Sequence, residues 1–272
     1  MHLDIIKTII IGIIEGITEW LPISSTGHMI IAEEFLKLNV SSEFWEMFLV
    51  VIQLGAILAV VCLFFKNLFP WGFNKTKEDT RMTFNLWLKI LIACIPAGII
   101  GIIFNDKIDE LFYNYWTVAI ALIFYGILFI IIENINKNKT PIVKSEDKIT
   151  YKQALFIGIF QLLALIPGTS RSGATILGGL ILGLDRSVAA SYTFYLAVPI
   201  MFGASFLKII KFGFLFTRPE LLILIIGMLT AFIVSILAIK FLLKYIKRNN
   251  FKIFGYYRII LGIVVLAYFL LT

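Results

Sequence analysis

The stretch EGITEWLPISSTGH, residues 15–28, decides how this chain folds. It follows the apolar run IIKTIIIGII and places two carboxylates, a proline, hydroxyls and an imidazole where an apolar helix would otherwise continue. Pro22 lacks an amide hydrogen and disfavours helix at the residue before it, so we expect the helix to end at Leu21. A loop rich in hydroxyls follows, and we expect the next half-helix to begin at His28.

The rest of the chain is strongly apolar. Of its 272 residues, 60% are hydrophobic and 15% are charged, whereas about a quarter of the residues in a soluble domain are charged. Six apolar runs approach the roughly 20 residues that a membrane-spanning helix needs. They are residues 47–65, 87–104, 115–132, 189–210, 221–243 and 254–271. The sequence therefore predicts an all-α polytopic membrane protein with six spanning helices.

Two shorter apolar stretches end in a proline followed by polar residues, and they resemble each other. IGIIEGITEWLPISSTGH begins at Ile11 and IGIFQLLALIPGTSRSGA begins at Ile157. We expect two re-entrant helix-loop-helix elements, residues 5–38 and 153–185, in one integral membrane domain of residues 1–272. The domain would contain two repeats of inverted topology, about 1–133 and 150–272. Apolar helices can look alike by chance, but the shared proline and hydroxyl break argues against that explanation.

The charges of the connecting segments predict the orientation. The basic segments, residues 66–89, 134–152 and 240–252, should be cytoplasmic. The acidic segment 105–110 is expected to be an outward turn, which puts both termini outside. The first re-entrant element then enters from outside and the second from the cytoplasm. Because topology explains the net charge of +7, we expect no nucleic-acid partner.

Glu15 and Glu19 are four residues apart and so lie on one face of the first half-helix. A carboxylate at depth in a bilayer costs at least ~2.5–3.5 kcal/mol, so the pair would need a proton or a cation. Mg²⁺ and Ca²⁺ are the hard ions that take carboxylate and phosphate oxygens together. The alternative is that this helix lies in the interface with both carboxylates solvated.

The first break offers Ser24, Ser25 and Thr26 beside His28. Hydroxyls and free amide groups at a helix N-terminus favour anion binding. Either serine could serve only as a helix cap. His28 could be a structural hydrogen-bonding group, although its neighbours favour acid–base or nucleophilic work.

The second break surrounds a cation with hydroxyls. A guanidinium group suits phosphate oxygens, and Arg171 at membrane depth requires an anion. An internal salt bridge from Arg171 to Glu15 or Glu19 is a compatible alternative. The candidate phosphate-binding residues in this break are Gly168, Thr169, Ser170 and Ser172. Together the two breaks favour phosphoryl transfer from a lipid phosphate.

The motifs EGITEWLPISSTGHMII and PGTSRSGATILGG resemble the two signature regions of the bacterial undecaprenyl-diphosphate phosphatase family, membrane enzymes associated with bacitracin resistance. The resemblance implies hydrolysis of undecaprenyl diphosphate to undecaprenyl phosphate and phosphate in the bacterial cell membrane. That reaction recycles the lipid carrier of cell-wall synthesis. On matching positions, Glu15 and Glu19 are the acidic motif, Ser25 and His28 the reactive pair, and Arg171 the phosphate binder.

The preferred mechanism is attack by Ser25 on the terminal phosphorus, with Glu19 or His28 accepting the proton. Direct attack by His28 or by water stays open. We expect a cleft that faces outward, a prenyl diphosphate substrate and contact with membrane lipids, and a homodimer is compatible with the sequence. The second hypothesis is a transporter or flippase of a phosphorylated prenyl lipid, because inverted repeats with broken helices are typical of transporters.

Overall fold

The computed structural model describes residues 2–72 and 75–271. Within them the chain forms twelve α-helices and no strand, apart from one isolated bridge between Val143 and Leu184. In chain order the helices are α1 His2–Thr18, α2 Ser25–Phe35, α3 Ser42–Val51, α4 Gln53–Leu63, α5 Phe65–Leu68, α6 Lys77–Phe112, α7 Tyr115–Ile135, α8 Tyr151–Leu162, α9 Arg171–Ile181, α10 Arg186–Phe212, α11 Arg218–Ile246 and α12 Lys252–Leu271.

Six helical segments of the described chain are long and apolar enough to cross a membrane. They are Ser42–Leu63, which joins α3 and α4, then Lys77–Phe104 within α6, and the whole of α7, α10, α11 and α12. Each contains one of the six apolar runs, or all but its last few residues. The predicted all-α polytopic class with six spanning helices is confirmed.

The remaining helices form two broken pairs, and the breaks differ from the sequence prediction in detail. Helix α1 ends at Thr18 instead of Leu21, and α2 begins at Ser25 instead of His28. The earlier start has a local cause. Ser24 adopts a positive φ of 73°, and its Oγ accepts a hydrogen bond from the Gly27 amide at 3.3 Å, which caps α2 at that point. Residues 19–24 are called the first loop below.

The second pair has the same geometry. Helix α8 passes into a 3₁₀ turn, Leu163–Leu165, and α9 begins at Arg171. Its cap, Ser170, has a φ of 71° and accepts from the Gly173 amide at 3.1 Å. Ser24 and Ser170 are the only described non-glycine residues with positive φ. Residues 163–170 are called the second loop below.

The first helix of each broken pair packs on a spanning helix from the other half of the chain. Helix α1 packs on α11, and α8 packs on α6. The matched glycines Gly12 and Gly158 make these contacts, because a Cβ atom would lie 3.0 Å from Gly227 O or 2.3 Å from Ala93 O. The arrangement is compatible with two re-entrant elements in inverted repeats. The repeat boundaries and the direction from which each element enters stay predictions.

One connection differs from the prediction. Residues 105–110 belong to α6, which continues to Phe112, and the turn falls at Tyr113 and Asn114. The segment contains no glycine or proline that would end a helix, whereas Asn114 caps α7 by accepting from the Thr117 amide at 2.9 Å. The side chains of residues 105, 106 and 109 lie outside the described part of the structure.

Candidate active site

A chain of three side chains joins the two halves of the molecule. The Ser25 hydroxyl donates to Glu19 Oε2 at 2.9 Å. The other oxygen, Glu19 Oε1, accepts from Arg171 Nη2 at 3.1 Å. Arg171 and Glu19 side chains are only 11% and 8% exposed, so water screens this ion pair weakly. The structure thus brings together three residues that the sequence predicted for one site.

Arg171 is held from three sides. Its Nη1 donates to the Thr193 carbonyl of α10 at 2.9 Å, and its guanidinium lies 5.8 Å from the centre of the Trp20 ring. Thr193 also shares a 2.9 Å hydrogen bond with Thr175, whose hydroxyl lies 2.9 Å from the Arg171 carbonyl. The buried Nε has no partner among the described residues. The Thr193 carbonyl, Glu19 and the Trp20 ring therefore fix the orientation of the guanidinium, while its Nε keeps a donor without an acceptor in the described part of the chain.

Glu15 lies deeper than Glu19 and is 2% exposed. Its Oε1 has no hydrogen-bond partner among the described residues. The burial excludes the alternative in which both carboxylates are solvated at the interface. An orphaned buried carboxylate oxygen is the kind of atom that a proton or a cation satisfies.

The two adjacent serines of the first motif have different positions. Ser24 is fully buried and its Oγ is used to cap α2. Ser25, the first residue of α2, is half-buried and points its hydroxyl at Glu19. Thr26 is half-buried on the same helical turn. The capping role that was open for both serines therefore belongs to Ser24.

His28 uses both ring nitrogens. Nδ1 lies 2.7 Å from the Ser24 carbonyl, to which it must donate, and Nε2 lies 2.7 Å from the Tyr257 hydroxyl. The two rings are stacked with their centroids 5.6 Å apart. Within the described residues, neither nitrogen forms a hydrogen bond with Ser25. This arrangement matches the structural role that the sequence left open for His28.

The residues of the second loop contribute mostly through their backbone. Gly168 has a φ of 89°, and the Gly168 and Thr169 carbonyls accept from Arg258 at 2.9 and 2.8 Å. Ser172 crosses to the first loop, donating to the Glu19 carbonyl at 3.1 Å and approaching the Ser170 hydroxyl at 3.1 Å. The start of α9 is thus bonded to the first loop through Ser172, and the second loop is bonded to α12 through Arg258.

The sequence reasoning missed Arg258, Tyr257 and Thr193. A signal for Arg258 was present, since it is the one charge after Lys252 in the last apolar run. An ionisable residue inside a membrane span is by default a candidate functional residue. Tyr257 and Thr193 carried no comparable signal, because their partners come from distant parts of the chain.

Comparisons with known proteins identify the family to which the chain is similar. The family model described as Bacitracin resistance protein BacA matches residues 8–264. The chain is 63% identical over 268 residues to an Undecaprenyl-diphosphatase of Acetivibrio thermocellus, covering 98% of both chains. An Undecaprenyl-diphosphatase of Desulfitobacterium hafniense is 63% identical over 267 residues, covering 98% of this chain and 96% of that one. One from Enterococcus faecalis is 57% identical over 269 residues, covering 98% of each.

Proposed function

Because the chain belongs to the bacitracin resistance protein BacA family, we propose that it hydrolyses undecaprenyl diphosphate to undecaprenyl phosphate and inorganic phosphate. The product is the lipid carrier of cell-wall synthesis, and its recycling confers bacitracin resistance. The observation that carries the proposal is the contact of Ser25 and Arg171 with the same carboxylate, Glu19. A hydroxyl, a base and an anion-binding guanidinium are thereby within reach of one phosphate group.

Ser25 Oγ attacks the terminal phosphorus, and the bond from that phosphorus to the bridging oxygen breaks. Undecaprenyl phosphate leaves, and a phosphoserine remains. Glu19 receives the hydroxyl proton, since its Oε2 already accepts from Ser25 at 2.9 Å. Water then attacks the phosphoserine and releases phosphate while the Ser25 hydroxyl is restored. Glu19 is preferred over His28 as the base because both nitrogens of His28 have other partners.

Arg171 stabilises the negative charge that develops on the phosphoryl oxygens. Its Nη1 is held by the Thr193 carbonyl, and its Nε is free among the described residues. The Thr193 carbonyl thus helps to orient the guanidinium that binds the phosphate in this mechanism. The amide groups at the start of α9 add a positive helix end beside the same oxygens.

The acidic pair fits a hard divalent cation, Mg²⁺ or Ca²⁺, that one or two carboxylates share with substrate phosphates. Glu15 supplies an unpartnered oxygen, and Glu19 would be the second ligand. Within the described residues no cluster of three His, Cys, Asp or Glu side chains could hold a metal without the substrate. When bound, the cation would neutralise charge on the diphosphate.

We propose that the protein lies in the bacterial cell membrane with its cleft open to the outside. The loop charges support this orientation, because the re-entrant element that carries Glu15, Glu19 and Ser25 then enters the membrane from outside. The prenyl chain would leave the site sideways between helices, into the lipid that the apolar helices contact.

The deciding experiment is phosphate release from undecaprenyl diphosphate by the purified protein in detergent. Detergent leaves no second compartment, so a transporter or flippase would release no phosphate there. We expect multiple turnovers that need a divalent cation. Binding of the lipid without any phosphate release would contradict the proposal and favour the transporter.

A further inference from the structure

Arg258 is a fully buried arginine in the last spanning helix, α12. It belongs to none of the ion pairs among the described residues. Its Nη2 donates to the Gly168 and Thr169 carbonyls, and its Nη1 lies 3.4 Å from the Pro22 carbonyl. The guanidinium is also 5.8 Å from the centre of the Tyr125 ring.

These contacts join the two loops. Pro22 belongs to the first loop, between Glu19 and Ser25, whereas Gly168 and Thr169 precede Arg171 in the second. A rigid planar fork can hold carbonyls on two chain segments at once, whereas the compact ammonium of lysine cannot span the same positions. A change at Arg258 would therefore alter the distance between Arg171, which follows the second loop, and Glu19 in the first.

Resting on the hydrolysis proposed above, we propose that Arg258 is a positioning residue for that reaction: it holds the two loops in the register in which Arg171 meets Glu19 and Ser25. Burying a guanidinium that has no carboxylate partner costs desolvation free energy, so Arg258 is a poor choice for stabilising a membrane helix alone. A role in holding the two loops together explains why an arginine is buried at this position. It acts through the loops and does not itself contact the reacting atoms.

The neighbouring glycine is consistent with this role. A Cβ atom on Gly173, in the first turn of α9, would lie 3.1 Å from Arg258 Nη1. A contact this tight requires the guanidinium or the helix start to move. Gly173 therefore leaves room for the fork beside the cap of α9.

The first test replaces Arg258 by lysine, which keeps the charge and loses the fork. The matched control is Arg186→Lys, because Arg186 forms a part-buried ion pair with Glu133 and has no hydrogen bond to either loop among the described residues. We expect kcat of Arg258→Lys to fall about 10²-fold with KM within about threefold, since small displacements of reacting groups have effects of that size. Arg186→Lys should lower the thermal midpoint of unfolding and leave kcat within about threefold.

The second test uses a smaller change. It tests the positioning role of Arg258 even if the Arg258→Lys variant cannot be purified. Gly173→Ala should yield folded protein with kcat lowered about tenfold. Its control is Gly98→Ala in α6, where a Cβ atom would meet nothing within 4 Å and activity should be unchanged. Phosphate release by the unaltered protein tests the hydrolysis proposal separately.

The positioning role is overturned if the unaltered protein is active and Arg258→Lys keeps kcat within about threefold. It is equally overturned if Arg258→Lys and Arg186→Lys lose kcat to the same extent at matched thermal midpoints. When only Gly173→Ala can be measured, full activity of that variant overturns the proposal.

Discussion

Two residues at matched places in the loops explain how similar motifs supply different chemistry. Ser24 and Ser170 are the caps, and the residue that follows each cap is Ser25, the first of α2, or Arg171, the first of α9. Each cap has a φ near 70°, which turns the chain so that the following side chain enters the site. One loop thereby presents a hydroxyl and the other a guanidinium to the same carboxylate.

Replacing Ser25 by alanine should lower kcat by roughly 10³-fold or more, because the attacking hydroxyl is removed. The matched control is Ser24→Gly, since glycine tolerates the positive φ and should cost only a few tenths of a kcal/mol of stability at a cap. Steady-state phosphate release and thermal unfolding measure both variants. If Ser25→Ala keeps most of its activity, attack by His28 or water replaces the serine mechanism.

Replacing Arg171 by lysine keeps the charge and loses the planar fork. One ammonium group cannot hold the Thr193 carbonyl and Glu19 while also reaching a phosphate. We expect kcat/KM to fall roughly 10²-fold, the usual scale for removing one stabilising donor. The measurement is phosphate release at several substrate concentrations. Activity near that of the unaltered protein would mean that charge alone is sufficient at this position.

At the scale of elements, the broken helices are held close to their neighbours by glycine. In α8, a Cβ atom on Gly158 would lie 2.3 Å from the Ala93 carbonyl and 2.8 Å from Ala93 Cα. Because both atoms are backbone, α8 would have to separate from α6. Gly158 therefore determines how closely α8, which leads into the second loop, packs on α6.

Gly158→Ala should destabilise the protein by about 1–3 kcal/mol through overpacking, and it should lower activity because α8 leads into the second loop. Gly98→Ala on α6 is the control, since its added methyl meets open space. Thermal unfolding in detergent compares the two variants. Equal thermal midpoints would show that the α6–α8 contact is looser than the structure indicates.

At the scale of the whole molecule, the loop charges predict which ends face outward. Single cysteines should be introduced in a background lacking Cys62 and Cys94. Those at either terminus should react with an impermeant reagent from outside, and those at positions 75 and 144 should not. Labelling of position 144 from outside would contradict the predicted topology, and the predicted inverted repeat would then be wrong as well.

The side on which the cleft opens can be tested by metal removal. A membrane-impermeant chelator added to intact cells supplied with external undecaprenyl diphosphate should stop phosphate release, because the acidic pair would lose its cation to the outer solution. Restoring Mg²⁺ or Ca²⁺ outside should restore release. Hydrolysis that continues unaffected, with phosphate only inside, would show that the cleft faces the cytoplasm.

Much of this architecture follows from the sequence alone. The six apolar runs predict the spanning helices because a bilayer excludes unpaired backbone groups and requires a minimum length. Pro22 and Pro167 mark the two breaks, and the charged and hydroxyl residues on either side of them make Glu19, Ser25 and Arg171 candidate site residues. Local rules were sufficient for the helices, the breaks and the choice of candidate residues, since each of these depends on residues close in sequence.

Only the tertiary structure decided how that group is arranged. It assigned Ser24 to capping and Ser25 to Glu19, gave both nitrogens of His28 to other partners, and brought Arg258 from α12 between the two loops. Those contacts join residues between three and more than two hundred positions apart, and their geometry depends on backbone torsions and helix packing. Residue types and spacing specify which groups are available, whereas the packing of distant helices specifies which of them meet.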